Sequence, residues 1–430
     1  MPFCGGNKLP ELTSTERVKD RVLSVHPLID GRGEYASLSR QEEFDRLVLS
    51  SDCDLYDSIP VPIRRMTAAT LFGSGQVELI AEQVKIHEAD VVFVDHQLSP
   101  VQQRNLEKGW DAKVVDRTGL ILEIFASRAR TREGVMQVEL ASLNYQISRL
   151  VRSWTHLERQ RGGFGFMGGP GERQIELDRR MIRERIKSVE KDLAHVRRMR
   201  ATQRSGRQRS EIPTIALVGY TNAGKSTLFN HLTSAEVYAA DQLFATLDPT
   251  LRILDLPGGS RVMLSDTVGF VQDLPHELVD AFRATLEEVI EADLILHVRD
   301  ASDPESANQK QVVEDTLAEL GLDGDDAPPM VEVLNKVDLV PQVRSSIKEE
   351  IAGSRVATSA LTGEGVDALL ELLSNWYEQG MQEYTLHLPL SDGKRAAYCH
   401  AHGRVLDQQV TDDQLILTVR MSAKHASKVL

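Results

Sequence analysis

The chain has 430 residues, 41% of them hydrophobic and 27% charged, and carries a formal net charge of −14. That length suggests about three domains, the apolar content suffices for folded cores, and the acidity argues against a generic nucleic-acid coat. No apolar run approaches the roughly 18 residues that a membrane span needs, and the N-terminus lacks a signal peptide's apolar core. Cys4, Cys53 and Cys399 show no metal spacing and no disulfide framework, and the twelve histidines form no ligand cluster. A cytoplasmic, monomeric protein is expected, with peripheral membrane association left open.

In chain order, Met1 to Val18 reads as a mobile tail. Residues 19–126 read as an α/β domain. Val91–Asp95 and Ala112–Asp116 are strands, and between them Ser99 and Pro100 open a helix that runs to Gly109, a cap residue followed by proline at the first helical position. Gly73-Ser74-Gly75 precedes another helix but lacks a full phosphate-loop pattern.

Residues 127–202 read as an antiparallel helical hairpin. Met136, Leu140, Leu143, Ile147 and Leu150 repeat at 4-3-4-3 spacing, as do Ile182, Ile186, Val189, Leu193 and Val196, and each row is a seam for a partner helix. Between the rows, residues 161–171 are too rich in glycine to continue a helix. This tip carries Phe164, Phe166 and Met167, flanked by Arg159, Arg161 and Arg173. From Val151 to Glu211 there are about 16 Lys/Arg against about 8 Asp/Glu, a basic stretch inside an acidic chain. These six residues are candidate RNA contacts through stacking and phosphate pairing; docking of the tip onto other parts of the protein is the structural alternative. Residues 203–213, ending in Pro213, read as a linker.

Residues 214–378 carry the most specific signals. Gly219, Tyr220, Thr221, Asn222, Ala223, Gly224, Lys225 and Ser226, followed by Thr227, fit G-x-x-x-x-G-K-[ST] between a strand and a helix. In that context backbone N–H groups wrap phosphates, Lys225 reaches the β- and γ-phosphates, and the Ser226 hydroxyl ligates Mg²⁺. Phe244, Ala245, Thr246, Leu247 and Asp248 lie in an expected mobile loop. Thr246 is the candidate second hydroxyl ligand of Mg²⁺, with Thr250 as runner-up. Asp266, Thr267, Val268 and Gly269 end a strand in D-x-x-G. Asp266 would hold the Mg²⁺ shell through water and the Gly269 N–H would face the γ-phosphate, so Lys225 and Gly269 are the catalytic candidates.

Asn335, Lys336, Val337 and Asp338 end a further strand in N-K-x-D. A carboxylate there can accept two hydrogen bonds from guanine, a donor pair that adenine lacks, while Asn335 braces the loop and the Lys336 stem covers the base. Ser359, Ala360 and Leu361 follow the next strand and suit backbone contact with the guanine edge. Ligands of open α/β sheets bind at the carboxyl ends of strands, where all these motifs fall. After Gly269 stands Phe270, where many GTPases carry a water-orienting glutamine, so slow unaided hydrolysis is expected. Asn222 with Phe270 raises the further expectation of a K⁺ ion beside the phosphates. Residues 379–430 read as a small β-rich or α+β domain. The expected class is therefore α/β: a P-loop G domain, preceded by an α/β domain with a helical hairpin and followed by a small C-terminal domain.

Taken together, these motifs resemble the HflX family of GTPases. Besides the G-domain residues, the similarity rests on the stretches 98–106, 116–118, 126–132 and 168–176, and Arg173 stands where the family pattern has a small polar residue. The resemblance implies an Mg²⁺-dependent enzyme that hydrolyses GTP, engages the large (50S) ribosomal subunit and its rRNA, and splits or rescues stalled ribosomes under stress. Two other readings stay open. One is a regulatory GTP-binding module docking a protein partner; the other adds an ATP-dependent RNA-remodelling activity in the N-terminal half.

Overall fold

The computed structural model describes residues 19–29, 34–160, 170–210, 212–233, 243–244, 246–247, 250–272, 286–324, 327–340, 355–411, 414–422 and 426–430. The expected N-terminal tail lies outside them. So do Arg161, Phe164, Phe166, Met167, Ala245 and Asp248, and the side chains of Arg159 and Arg173 are likewise not described. The described residues divide into two compact units. One holds residues 19–198 together with Leu243, Phe244, Thr246 and Leu247; the other begins at Met199 and holds the rest.

In the first unit, β1 (Arg21–Ile29), β2 (Asp54–Ile63), β3 (Val91–Val94) and β4 (Lys113–Asp116) form a parallel sheet in the order β2-β1-β3-β4. The connecting helices are α1 (Glu34–Leu49), α2 (Ser74–His87) and α3 (Pro100–Trp110), with α4 (Arg117–Arg128) after β4. The α3 boundary has a local cause. The Ser99 hydroxyl accepts from the Gln102 N–H, the Gln102 side chain accepts from the Ser99 N–H at 2.9 Å, and Pro100 occupies the first turn, where no intrahelical donor is needed. Leu23 and Val25 point to one sheet face and pack with Ile80 and Val84 of α2 and with Leu106 and Trp110 of α3.

On the opposite side Val22 and Phe93 are buried, as are Phe44, Leu47 and Val48 of α1, and a polar network is set among them. Ser24 and His26 of β1 meet Asp45 of α1, at 2.5 and 3.1 Å. Asp95, just past β3, is held by Arg40 at 2.8 Å and by Arg117 at 2.9 Å, and Arg117 also pairs with Glu43. A second buried carboxylate, Asp116, caps α4 through the Gly119 N–H. It also accepts from the Tyr145 hydroxyl and from Arg149, which anchors α5 (Arg132–Gln160) to the sheet. Ionised groups so deeply placed are tolerable only when paired on several sides.

α5 and α6 (Pro170–Ser210) form the expected hairpin pair. Met136, Leu140 and Leu143 pack with Val189, Leu193 and Val196, members of the two predicted seams. The helix continues through 203–210, which the sequence reading assigned to a linker. Gly206 costs a helix only about 1 kcal/mol, and the glutamines and arginines around it are good helix formers, so Pro213 rather than composition marks the end.

In the second unit, a six-stranded sheet has the order β10-β9-β8-β5-β7-β6. Its members are β5 (Thr214–Val218), β6 (Thr250–Asp255), β7 (Arg261–Asp266), β8 (Leu294–Asp300), β9 (Met330–Asn335) and β10 (Arg355–Ala357). All neighbours are parallel except β6 with β7. Ile215, Leu217, Leu264, Leu296 and Val333 pack against Leu228 and Phe229 of α7 (Lys225–Thr233) and against Leu369 and Leu373 further along. α8 (Ser306–Glu319) lies between β8 and β9 in sequence, and α9 (Val366–Gln379) carries Leu369 and Leu373. Finally, β11 (Met381–Pro389), α10 (Gly393–His402), β12 (Arg404–Val410) and β13 (Gln414–Ser422) form an antiparallel sheet in the order β11-β13-β12, with its own core around Leu386, Cys399, Val419 and Met421.

Burial alone would lower the pKa of His26, but its contacts with Asp45 and Asp95 outweigh that and raise it above the ordinary imidazole value. A raised folded-state pKa contributes stability that is complete below the unfolded value of about 6.5 and is lost as pH rises through the folded value. The unfolding free energy of the wild type is therefore expected to fall as pH rises above about 6.5, and the His26→Gln variant to show a shallower fall. Urea titrations across this range, read by a probe in the first unit, check it.

Candidate functional site: the phosphate loop and its neighbours

The loop between β5 and α7 approaches its neighbours too closely for side chains at both ends. A Cβ on Gly219 would stand 2.1 Å from the Val298 carbonyl oxygen. One on Gly224, at φ +92°, would stand 2.2 Å from Asn335 Nδ2. Between them Asn222 takes a left-handed conformation, φ +61°, which asparagine tolerates better than most residues. The loop therefore turns sharply into α7, and Leu228 donates its N–H to the Gly224 carbonyl at 2.9 Å.

Lys225 folds back inside this turn, with Nζ donating to the Gly219 and Tyr220 carbonyls at 3.1 and 2.8 Å. It is only 6% exposed. Burial lowers its pKa to about 8, against the opposing pull of Asp266. Ser226 Oγ donates to Asp266 Oδ2 at 2.7 Å, so the hydroxyl of the loop and the carboxylate at the end of β7 meet. Both are hard oxygen donors, a set that fits a Mg²⁺ ion completed by water and substrate phosphate. Thr267 is fixed by donation to the Leu217 carbonyl at 2.6 Å, and Val268 is buried beside it.

The D-x-x-G turn lies directly on the loop. A Cβ on Gly269 would stand 2.9 Å from Thr221 Cα and 3.0 Å from Lys225 Nζ, so only glycine fits. Phe270 joins the loop by backbone alone: its carbonyl accepts from Thr221 N–H at 2.7 Å and its N–H donates to the Gly219 carbonyl at 3.1 Å. Its ring is buried.

On the other side, Asn335 ties three segments together. Its Nδ2 donates to the Ala223 carbonyl at 2.9 Å, and its Oδ1 accepts from the Ala360 N–H at 2.9 Å. Lys336 is left-handed, φ +62°, and its ammonium pairs with Asp300 at 2.7 Å. Val337 is buried and Asp338 half-buried in the short 3₁₀ turn Val337–Leu339. Ser359 is buried, its Oγ accepting from the Thr362 N–H at 3.2 Å, whereas Leu361 is exposed. The structure thus brings together the loop, Asp266 to Gly269, Asn335 to Asp338 and Ser359 to Ala360. Phe244 and Thr246 group instead with the first unit, where Phe244 meets Phe125 edge-on with ring centroids 4.5 Å apart. Sequence reading missed Asp300; its signal was a carboxylate at the end of β8, the one strand end beside the site with no motif assigned to it.

A phosphate loop, a D-x-x-G turn and an N-K-x-D turn on adjacent strand ends of one mainly parallel sheet define a P-loop GTPase. Residues 214–336 match the family described as 50S ribosome-binding GTPase, 39–126 the GTP-binding GTPase N-terminal family, and 128–207 the GTP-binding GTPase middle region. The GTPase HflX of Magnetococcus marinus is 51% identical over 412 residues, covering 96% of this chain and 94% of that protein. That of Escherichia coli is 45% identical, covering 88% and 89%. A GTP-binding protein from Sulfolobus solfataricus, solved with GDP, aligns at 23% identity and a TM-score of 0.44, covering 83% of this chain and 99% of that one. The chain belongs to the GTPase HflX family. It binds guanine nucleotide and hydrolyses GTP. Among the described residues no helix is long and apolar enough to cross a membrane.

Asn335→Ala would leave the Ala223 carbonyl and the Ala360 N–H without this partner in a buried site. GDP affinity is expected to fall by about 10- to 100-fold, measured by calorimetry. The lowered pKa of Lys225 gives a second expectation. Phosphate is held by the charged amine, so nucleotide affinity should decline as pH rises above about 8, with proton uptake on binding. Calorimetry at pH 7 to 9 in buffers of different ionisation enthalpy measures both.

Proposed function

We propose that this GTPase associates with the large ribosomal subunit and uses its nucleotide cycle to split or rescue stalled ribosomes under stress. The observation that carries the reading is Phe270. Next to Gly269 stands a buried apolar ring that offers no hydrogen bond to an attacking water, so the resting enzyme lacks an orienting group there. A partner that completes the site would switch hydrolysis on. The similarity of 214–336 to a ribosome-binding GTPase family supports the large subunit as that partner.

In this reading Lys225 and the backbone donors of the loop neutralise charge on the phosphates, and Gly269 meets the γ-phosphate. Asp338 accepts from guanine, with Lys336 braced by Asp300. Ser226 and Thr246 would hold Mg²⁺ directly and Asp266 through water; the ion would supply charge at the β/γ oxygens. Asn222 carries the K⁺ expectation, and equal hydrolysis in K⁺ and Na⁺ buffers would remove it. The hairpin tip residues Arg159, Arg161, Phe164, Phe166, Met167 and Arg173 are proposed RNA contacts. GTP favours the ribosome-bound state and hydrolysis releases it.

Steady-state GTP hydrolysis should rise at least about tenfold when purified large subunits are added at matched K⁺ and Mg²⁺, a modest part of what an activator supplying a missing catalytic group achieves. No rise, with GTP still bound, would sink the ribosomal switch and favour a protein-docking module. RNase-sensitive binding separates the two independently.

A further inference from the structure

Beyond the Ser226–Asp266 contact, Phe270 and Gln272, which follow the D-x-x-G turn, make three hydrogen bonds with the phosphate loop, and these differ in kind. The two made by Phe270 run between backbones and are open to almost any sequence. The third is specific to this one: the Gln272 N–H donates to the Tyr220 hydroxyl at 2.9 Å. Tyr220 is buried, as are Phe270 and Val271 next to it, and Gln272 is half-buried, so this bond is partly shielded from water.

The laced arrangement has a steric consequence. Gly269 lies so close to Thr221 and Lys225 that even a methyl group would clash, and Lys225 is almost fully covered. The γ-phosphate of GTP must reach both the Lys225 amine and the Gly269 N–H. With the turn laced this closely to the loop, admitting that group draws on movement of the turn, of the Lys225 side chain or of both. GDP lacks the γ-phosphate and makes no demand on the Gly269 turn.

We infer that Tyr220 is a positioning residue whose hydroxyl latches the Gly269 turn onto the phosphate loop and thereby biases the protein toward GDP over GTP. It acts through Gln272 and Gly269 and does not itself touch the reacting atoms. The inference rests on guanine nucleotide as the ligand of this loop and assigns the residue that weighs its two forms.

Tyr220→Phe keeps the ring and removes only the hydroxyl. Affinities for GDP and for a non-hydrolysable GTP analogue, measured by calorimetry on the full chain, give the test. The ratio of analogue affinity to GDP affinity is expected to rise about threefold to tenfold, the worth of one neutral hydrogen bond. Gln272→Pro removes the donor from the other end and should produce the same shift. Combining the two should add nothing further, since both break one bond. An unchanged ratio in Tyr220→Phe at wild-type melting temperature, or a ratio moved toward GDP, would overturn the latch. Failure of the wild type to bind either nucleotide would overturn the ligand assignment instead, a distinguishable result.

Discussion

The site depends on the Asn335 side chain. One amide spans three strand ends: it donates to the phosphate loop at Ala223 and accepts from Ala360 after β10, while its own backbone ends β9. Gly224 is forced to be glycine because this amide sits where its Cβ would be. Base-side and phosphate-side elements are therefore parts of one hydrogen-bonded unit. A neutral amide suits this role, since it supplies a donor and an acceptor at once and carries no charge to desolvate.

Charge is handled differently in the two units. In the first, buried ions have several partners each: Asp95 faces two arginines and His26, and its pKa falls to about 2 despite burial. Asp116 collects two backbone N–H groups, a hydroxyl and an arginine. Such networks add directional ties between the helices and a sheet that is packed with apolar side chains on both faces. In the second unit Lys225 rests on carbonyl dipoles, and burial without a full countercharge lowers its pKa to about 8. A group held that way gains most when a phosphate arrives, which is where binding free energy should appear.

Much of this was legible in the sequence because the relevant signals are local. The phosphate loop follows from glycines that only a tight turn requires, the α3 boundary from Ser99 and Pro100, and the hairpin seams from 4-3-4-3 spacing. Residues 203–210, expected as a linker, are helical, because composition is a weak guide where a helix already exists and only Pro213 forbids it. Asp300 was invisible as a partner of Lys336 because their pairing depends on which strands are neighbours, a property no local pattern carries. The same holds for Tyr220: its place in the loop could be read, but its contact with Gln272 spans 52 residues and follows from the way the D-x-x-G turn folds back. Likewise the contact of Phe244 with Phe125 in the first unit is one that motif order does not carry.

The outer strand β2 of the first sheet carries Pro60 and Pro62. The Pro62 carbonyl accepts from the Gln76 side chain at 2.6 Å, so it is turned away from β1, and in a strand the nitrogen of that residue faces the same way. Pro60, two residues earlier, shares the orientation. The rim of the sheet therefore offers oxygen acceptors but lacks N–H donors at these two positions, and a foreign strand laid along it would leave carbonyls of its own stranded. The prolines cost β1 none of its ladder bonds while they blunt templated growth from that side. At high concentration, and while the chain is still being completed, this sheet resists recruiting another copy into aggregates.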